Sequence, residues 1–254
     1  MYRPMQNLAD ITAIILVGGL GTRLQSVVSD RPKALARIGN RPFLTFLLDQ
    51  LAAAKAREVV LCTGYMADQI HEALGKTYRS LKIIYSRESK PLGTGGALRR
   101  ALPHFNSDPV LIMNGDSFVD ADLTAYVNWF FEQRCEASLL LVKVPNTSRY
   151  GKVLLGANGC LSAFEEKGLN SGPGWINAGI YIMKKSLVAS MPAAIAFSLE
   201  REFFPRLLSK RFYGYCSTGR FIDIGTPQSL HRAREFFGAP NPYNIKSELK
   251  ETDK

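Results

Sequence analysis

The sequence has no apolar run approaching the ~20 residues that a bilayer-spanning helix requires, so no membrane partner is expected. Cysteine is sparse: Cys62, Cys135, Cys160 and Cys216 form no C-x-x-C pair, which argues against a zinc site and a disulfide framework and for reduced thiols. Histidine is scarcer still, and His71, His104 and His231 lack ligand spacing, so they read as surface or packing residues. Met1 to Asp10 carries no apolar h-region, no export signal is read there, and a cytoplasmic protein is expected. Two phosphate-binding patterns are also missing. A dinucleotide fingerprint would need glycine where Leu24 stands, and no G-K-[ST] closes a P-loop. No internal repeat is present.

The 254 residues, 46% hydrophobic, suffice for one large α/β domain or two closely joined halves, and the net charge of +10 calls for an anionic partner. Nucleotide triphosphates, sugar phosphates, nucleic acid and acidic membranes all carry that charge. The cations are dispersed, however, and Arg149-Tyr150-Gly151-Lys152 lacks the aromatic pattern of an RNA-recognition motif, so nucleic acid is not expected. The composition permits a homo-oligomer.

The stretch around which the chain is organised begins with Ile11 to Val17, an apolar, β-branched run that reads as a fully buried strand. It empties into Gly18, Gly19, Leu20, Gly21, Thr22 and Arg23, with Pro32-Lys33 ten residues on. Glycine lets bare backbone N–H groups approach a phosphate, Arg23 offers a planar cationic fork, and Lys33 adds a mobile point charge.

Helices over Phe43 to Ala54 and Ala67 to Leu74 alternate with strands at Glu58 to Cys62 and Leu81 to Tyr85. This β-α-β-α-β order predicts a doubly wound parallel sheet with ligands outside the carboxyl ends of its strands. A second glycine-rich loop, Ser86 to Leu98, follows the third strand. The fourth, Val110 to Met113, ends at Asn114-Gly115-Asp116, a carboxylate at a strand lip and well placed to bind Mg²⁺ between phosphates. Asp120 and Asp122 lie ahead of a helix from Leu123 to Gln133 and are assigned structural roles.

Beyond the strand Ala137 to Val144 the pattern changes to shorter strands, with a hairpin signal at Asn158-Gly159 before Leu161 to Phe164. A helix is predicted from Phe197 through Leu208, Ser198 serving as N-cap. In Phe221-Ile222-Asp223-Ile224 an acid is buried in an apolar strand. Unpaired it would cost several kcal/mol, so Asp223 should meet a cation. A last helix is read over Pro227 to Phe237. The expected organisation is a flexible 1–10, one domain over 11–238 with a soft division near Pro145, and a mobile tail over 239–254.

Five motifs in order, G-G-x-G-T-R-L with P-K, P-L-G-T-x-G-A-L, N-G-D, E-E-K with N-A-G-I-Y, and D-x-G-x-P, resemble those of the sugar-1-phosphate nucleotidyltransferases. The resemblance covers nearly all of residues 11 to 237 and implies a Rossmann-like doubly wound mixed sheet carrying a smaller inserted β-rich sugar-binding part. It implies that residues 11–144 mainly bind nucleotide, through Leu16, Gly18, Gly19, Gly21, Thr22, Glu88, Pro91, Gly93 and Thr94. Residues 145–226 would mainly bind the sugar phosphate; Tyr150, Gly151, Glu166, Lys167, Asn177 and Ala178 would meet it there, together with Asn114. Asp116 and Asp223 would share Mg²⁺. Arg23 would meet the departing phosphates, Lys33 the α-phosphate and Lys167 the attacking phosphate.

Glu88 stands where uridylyl- and thymidylyltransferases of that family commonly carry glutamine. Guanine presents two adjacent N–H donors that a carboxylate can accept, whereas it would repel the carbonyl oxygens of uracil or thymine, so GTP is expected. R-Y-G, F-E-E-K, F-S-x-E and F-I-D-I-G-x-P look most like the D-glycero-α-D-manno-heptose 1-phosphate guanylyltransferases, which implies a heptose 1-phosphate acceptor and a GDP-heptose product for bacterial surface polysaccharide. Alternatives are mannose 1-phosphate with GTP, glucose 1-phosphate with UTP, CTP or dTTP, and a non-catalytic nucleotide-sugar sensor.

Overall fold

Strands that are apolar at successive positions bury both faces, and the chain supplies helices for each. The computed structural model describes residues 8–165, 172–208 and 210–238. Its strands are β1 (Thr12–Leu16), β2 (Arg37–Ile38), β3 (Arg41–Pro42), β4 (Glu58–Thr63), β5 (Thr77–Tyr78), β6 (Leu81–Arg87), β7 (Val110–Asn114), β8 (Ser117–Val119), β9 (Ala137–Val144), β10 (Lys152–Leu155), β11 (Leu161–Glu165), β12 (Gly174–Met183), β13 (Phe212–Ser217) and β14 (Phe221–Asp223). The helices are α1 (Phe43–Ala53), α2 (Ala67–Leu74), α3 (Gly93–Ala101), α4 (Leu123–Glu132), α5 (Lys185–Ala189) and α6 (Pro227–Gly238).

The main sheet runs β13-β9-β12-β7-β1-β4-β6-β5, with the β10–β11 hairpin attached at the start of β12. β7, β1, β4 and β6 are mutually parallel, and β12 runs antiparallel between β7 and β9. Side chains alternate between two apolar layers. Ala13, Ile15, Val59, Leu61, Leu111 and Met113 face the layer that holds α1, α4 and α6. Ile14, Val60, Cys62, Val110 and Ile112 face the one that holds α3 and α5. This is the doubly wound α/β sheet that the element order predicts, and its parallel strands deliver their carboxyl ends to one rim.

The strands of the second stretch do not form a separate layer. β12 contributes to the middle of the sheet, and its register breaks between Asn177 and Tyr181. The Asn158-Gly159 turn joins β10 to β11 as expected, both residues taking positive φ.

The helix predicted over 197–208 is a correction. Ser198 does cap its start, accepting from the Arg201 amide at 3.2 Å, but the segment is a π-helical Leu199–Phe203 followed by a 3₁₀ turn, Phe204–Leu207. Pro205 lacks the N–H that a continuous α-helix needs there. The flexible ends expected at 1–10 and 239–254 fall outside the described residues except for Leu8–Asp10, a 3₁₀ turn. Among the described residues no helix is long and apolar enough to cross a membrane.

Candidate active site

β1 stops at Leu16 and its glycine loop opens at the rim. Gly21 takes a left-handed φ of +62°, and a Cβ there would lie 3.1 Å from Lys33 Cβ, so glycine lets the loop fold against the lysine. A Cβ on Gly19 would meet nothing within 4 Å, which leaves that stretch of backbone open to the cleft. Thr22–Leu24 forms a 3₁₀ turn with Leu24 buried beneath it, and Lys33 begins another, Lys33–Leu35, directly after Pro32. Gly115, beside the acid, is required by packing. Its amide donates to the Leu16 carbonyl at 2.9 Å, and a Cβ would fall 2.5 Å from Val17 Cγ1.

The two acids lie 107 positions apart in sequence and are brought together by one short pairing. β8 and β14 run antiparallel with Asp223 opposite Ser117, and the Ile224 amide donates to the Asp116 carbonyl at 2.9 Å. Lys33 Nζ bonds Asp116 Oδ2 at 2.7 Å. A Cβ on Gly225 would be 2.7 Å from Asp223 Oδ1, 3.6 Å from Lys33 Nζ and 3.7 Å from Arg23 Nη2. Arg23, Lys33 and the Asp223 carboxylate therefore meet around one glycine, and Lys33 ties the Asp116 carboxylate to them.

Asp223 meets its cation, and that cation is Arg149, to which the sequence reading gave no role. Arg149 Nη2 donates to Oδ1 at 3.1 Å and to Oδ2 at 3.2 Å, while the Tyr150 hydroxyl donates at 2.6 Å and the Gly225 amide at 2.8 Å. Burial by itself would raise the Asp223 carboxyl, but the Tyr150 and Gly225 hydrogen bonds and the charges of Arg149 and Lys33 outweigh it and hold it below the usual carboxylate range. Burial and the same carboxylate push the Tyr150 hydroxyl up to about 12, so it stays a donor. Tyr150, expected at the sugar phosphate, is thus engaged with Asp223. The requirement that a buried acid find a cation predicts a partner for Asp223 but does not single out Arg149.

Glu88 sits beyond β6 between two other strand ends. Its Oε1 would be 3.0 Å from a Cβ on Gly18 and 2.6 Å from one on Gly64, so both loops must be bare to receive it. Oε2 accepts from the Leu92 amide at 3.1 Å. Burial raises the Glu88 carboxyl, against the opposing effects of that amide and of Arg100. The neighbouring glycines are closely packed: a Cβ on Gly93 would lie 2.4 Å from Phe197 O, and one on Gly95 2.0 Å from the Phe197 ring. Thr94 Oγ1 donates to Glu200 and accepts from the Leu199 amide. Pro91 is exposed at the loop tip.

On the β12 side, Asn114 and Asn177 each donate a side-chain N–H to the Tyr181 hydroxyl, at 3.1 and 3.2 Å, and that hydroxyl donates to Glu200 Oε1. Asn114 Oδ1 is buried with no partner among the described residues. Ala178 is buried, its carbonyl accepting from Ser117 Oγ at 3.2 Å. Gly179, at φ +82°, lets β12 pass within contact of Ser117 and Asn114. Gly151 takes φ +77° directly after Tyr150. Glu166 and Lys167 lie outside the described residues. Asp122 caps α4 through the Ala125 amide, and Asp120 pairs with Arg220 at 3.7 Å, the structural roles expected of them.

A parallel sheet whose rim joins a bare glycine loop, two cations and two convergent acids defines a nucleotide-handling α/β protein. Residues 12–239 match the family model described as Nucleotidyl transferase, and the chain belongs to that family. It is 39% identical over 224 residues, 88% of this chain and 96% of the relative, to the D-glycero-alpha-D-manno-heptose 1-phosphate guanylyltransferase of Aneurinibacillus thermoaerophilus. It is 35% identical to the mannose-1-phosphate guanylyltransferase catalytic subunit beta of Drosophila melanogaster, over 86% of this chain and 60% of that one. The solved structure of HddC from Yersinia pseudotuberculosis, also solved in complex with GMP-PN, superposes with a TM-score of 0.81 at 32% identity, covering 89% of this chain and 99% of that one.

Proposed function

We propose that the protein transfers GMP from GTP to a sugar 1-phosphate, with D-glycero-α-D-manno-heptose 1-phosphate as the acceptor and GDP-heptose and pyrophosphate as products. The observation that carries this reading is the meeting of Arg23, Lys33 and Asp223 around Gly225, with Asp116 held on Lys33, beside the strand-end glycines that receive Glu88. Two named heptose 1-phosphate guanylyltransferases match over 96% of their own length, whereas six mannose 1-phosphate relatives match over 60 to 63% of theirs, which favours the heptose acceptor.

In the reaction an oxygen of the sugar phosphate attacks the α-phosphorus of GTP, the bond from that phosphorus to the bridging oxygen breaks, and pyrophosphate leaves. The nucleophile's second pKa, near ~6, makes it mostly dianionic at neutral pH, so no general base is required. Arg23 neutralises the departing phosphates, Lys33 the α-phosphate as charge grows, and Lys167 is assigned the attacking phosphate. Catalysis is then alignment and electrostatics. Asp116 and Asp223 would hold Mg²⁺, which supplies charge neutralisation across the triphosphate. The donor set fits: both are hard oxygen ligands, and each already holds a protein cation. Among the described residues no cluster of three metal-ligating side chains occurs, so phosphate oxygens and water would complete the coordination sphere.

Pyrophosphate release measured for GTP, UTP, CTP and dTTP against heptose, mannose and glucose 1-phosphates tests the proposal; preference for UTP would overturn the role of Glu88. Glu88→Gln should cut kcat/KM for GTP by about 10- to 100-fold, the loss of a charge-assisted hydrogen bond. The same change should not destabilise the fold. Because the Glu88 pKa is raised, the folded protein holds that proton more tightly than the unfolded chain does. Ionisation therefore costs stability as pH climbs from the ordinary value of 4.5 through the raised one. At pH 7 the urea midpoint of Glu88→Gln should match or exceed that of the wild type.

A further inference from the structure

Both acids of the site are already occupied, and they are occupied differently. Lys33 holds Asp116 from the 3₁₀ turn that follows Pro32, its side chain only 12% exposed. Arg149 reaches Asp223 from the loop ahead of β10, its side chain 37% exposed and its guanidinium 5.3 Å from the Tyr150 ring centroid. A firm arginine–carboxylate pair uses two nitrogens in a fork, as Arg87 does on Asp68 with Nη1 and Nη2. Arg149 uses one. Nη2 alone spans both oxygens of Asp223, and its other nitrogens make no hydrogen bond among the described residues.

Arg149 is not the sole partner of Asp223. The Tyr150 hydroxyl at 2.6 Å and the Gly225 amide at 2.8 Å would hold the carboxylate in place if the guanidinium left. The charge of Arg149 is therefore a removable one, at the edge of the cleft, on a carboxylate that has independent support. A carboxylate cannot give its full charge to a guanidinium and to a divalent cation together, and two ligands competing for one group antagonise each other reciprocally.

We infer that Arg149 is a ligand for the acceptor's phosphate held in reserve on Asp223: a divalent cation that takes Asp223 releases the guanidinium, which then pairs with the incoming sugar phosphate. The planar fork that is half unused on Asp223 is the geometry suited to phosphate oxygens. Metal and acceptor phosphate each favour the state in which Arg149 has left Asp223, so each should tighten the other. This rests on the proposed reading of Asp116 and Asp223 as the metal-holding pair.

Mn²⁺ titrated into nucleotide-free protein, with free ion followed by electron paramagnetic resonance, tests the competition without turnover. Arg149→Gln should bind Mn²⁺ about five- to tenfold more tightly than the wild type. Heptose 1-phosphate should tighten Mn²⁺ on the wild type and not on the variant. In steady-state assays the variant should raise KM for the acceptor at least about tenfold while KM for GTP moves less than about threefold, and Arg149→Lys, which keeps the charge and loses the fork, should fall between. Mn²⁺ affinity equal to or weaker than that of the wild type, or an unchanged acceptor KM, overturns the inference. Wild-type protein that releases no pyrophosphate with any nucleotide and sugar 1-phosphate would instead overturn the proposed reaction, and the Mn²⁺ titration would still decide whether Arg149 and metal compete.

Discussion

Replacing Asp223 by asparagine is expected to lower kcat by about 10²- to 10³-fold, the usual effect of deleting one preorganised charge contact in a reaction driven by electrostatics. The amide keeps the shape, but its single oxygen can accept from only one of Tyr150 and Gly225, which bond different oxygens of Asp223, so turnover is compared with the urea midpoint of the same variant. A second signature separates this from general damage. The folded-state pKa of Asp223 lies below its unfolded value, so its ionisation stabilises the fold above the unfolded pKa, ~3.9, and that stabilisation is lost as pH falls through the lowered value. Urea unfolding should show a gap between wild type and Asp223→Asn that is full at pH 7 and closes as pH drops toward 3. Full turnover by the variant in Mg²⁺ would remove Asp223 from the chemistry.

Gly95→Ala is expected to destabilise the protein by about 1–3 kcal/mol, as overpacking typically does. The new methyl would lie 2.0 Å from Phe197 Cε2 and 2.4 Å from Cζ, so the ring must move. Phe197 cannot move alone. Its carbonyl accepts from the Gly95 amide at 3.0 Å, its amide donates to the Leu92 carbonyl, and the residues after it are bonded to Thr94. The displacement would carry Glu200 away from Tyr181, so acceptor KM should rise along with the loss of stability. Adding Phe197→Leu should recover part of the stability, giving a coupling of about 0.5–3 kcal/mol in a double-mutant cycle by urea denaturation. An unchanged urea midpoint for Gly95→Ala would mean that Phe197 does not fill the space over Gly95.

What the sequence made legible was local. Ile11 to Val17 and the loop after it carry their own evidence, because burial, bare backbone and cations lie within a few residues. The need of Asp223 for a cation was legible too, since it follows from burying a charge. Its identity was not, because Arg149 is 74 positions away and only the folded chain brings it to Asp223. The glycines at 93 and 95 show the opposite limit. A glycine at the start of a helix reads the same whether it serves a ligand or the packing of a side chain, and the side chain packed on these two, Phe197, lies about a hundred residues on. β13 was missed because Gly214 interrupts its apolar pattern; there the glycine makes room for Leu141, whose Cδ1 would be 2.5 Å from a Cβ.

The position of β12 bears on how such a chain is made and inherited. When synthesis has reached Val144, both β7 and β9 exist in sequence, yet each lacks the neighbour that separates them until residues 174–183 arrive. Two open edges in the centre of a sheet invite mispairing, and closing them depends on contacts distant along the polypeptide, which makes this a slow step. The portions assigned to the donor and to the acceptor are consequently not interchangeable modules. A truncation after 144, or a graft that swaps the later portion for that of a distant relative, should yield aggregates unless the replacement brings its own β12.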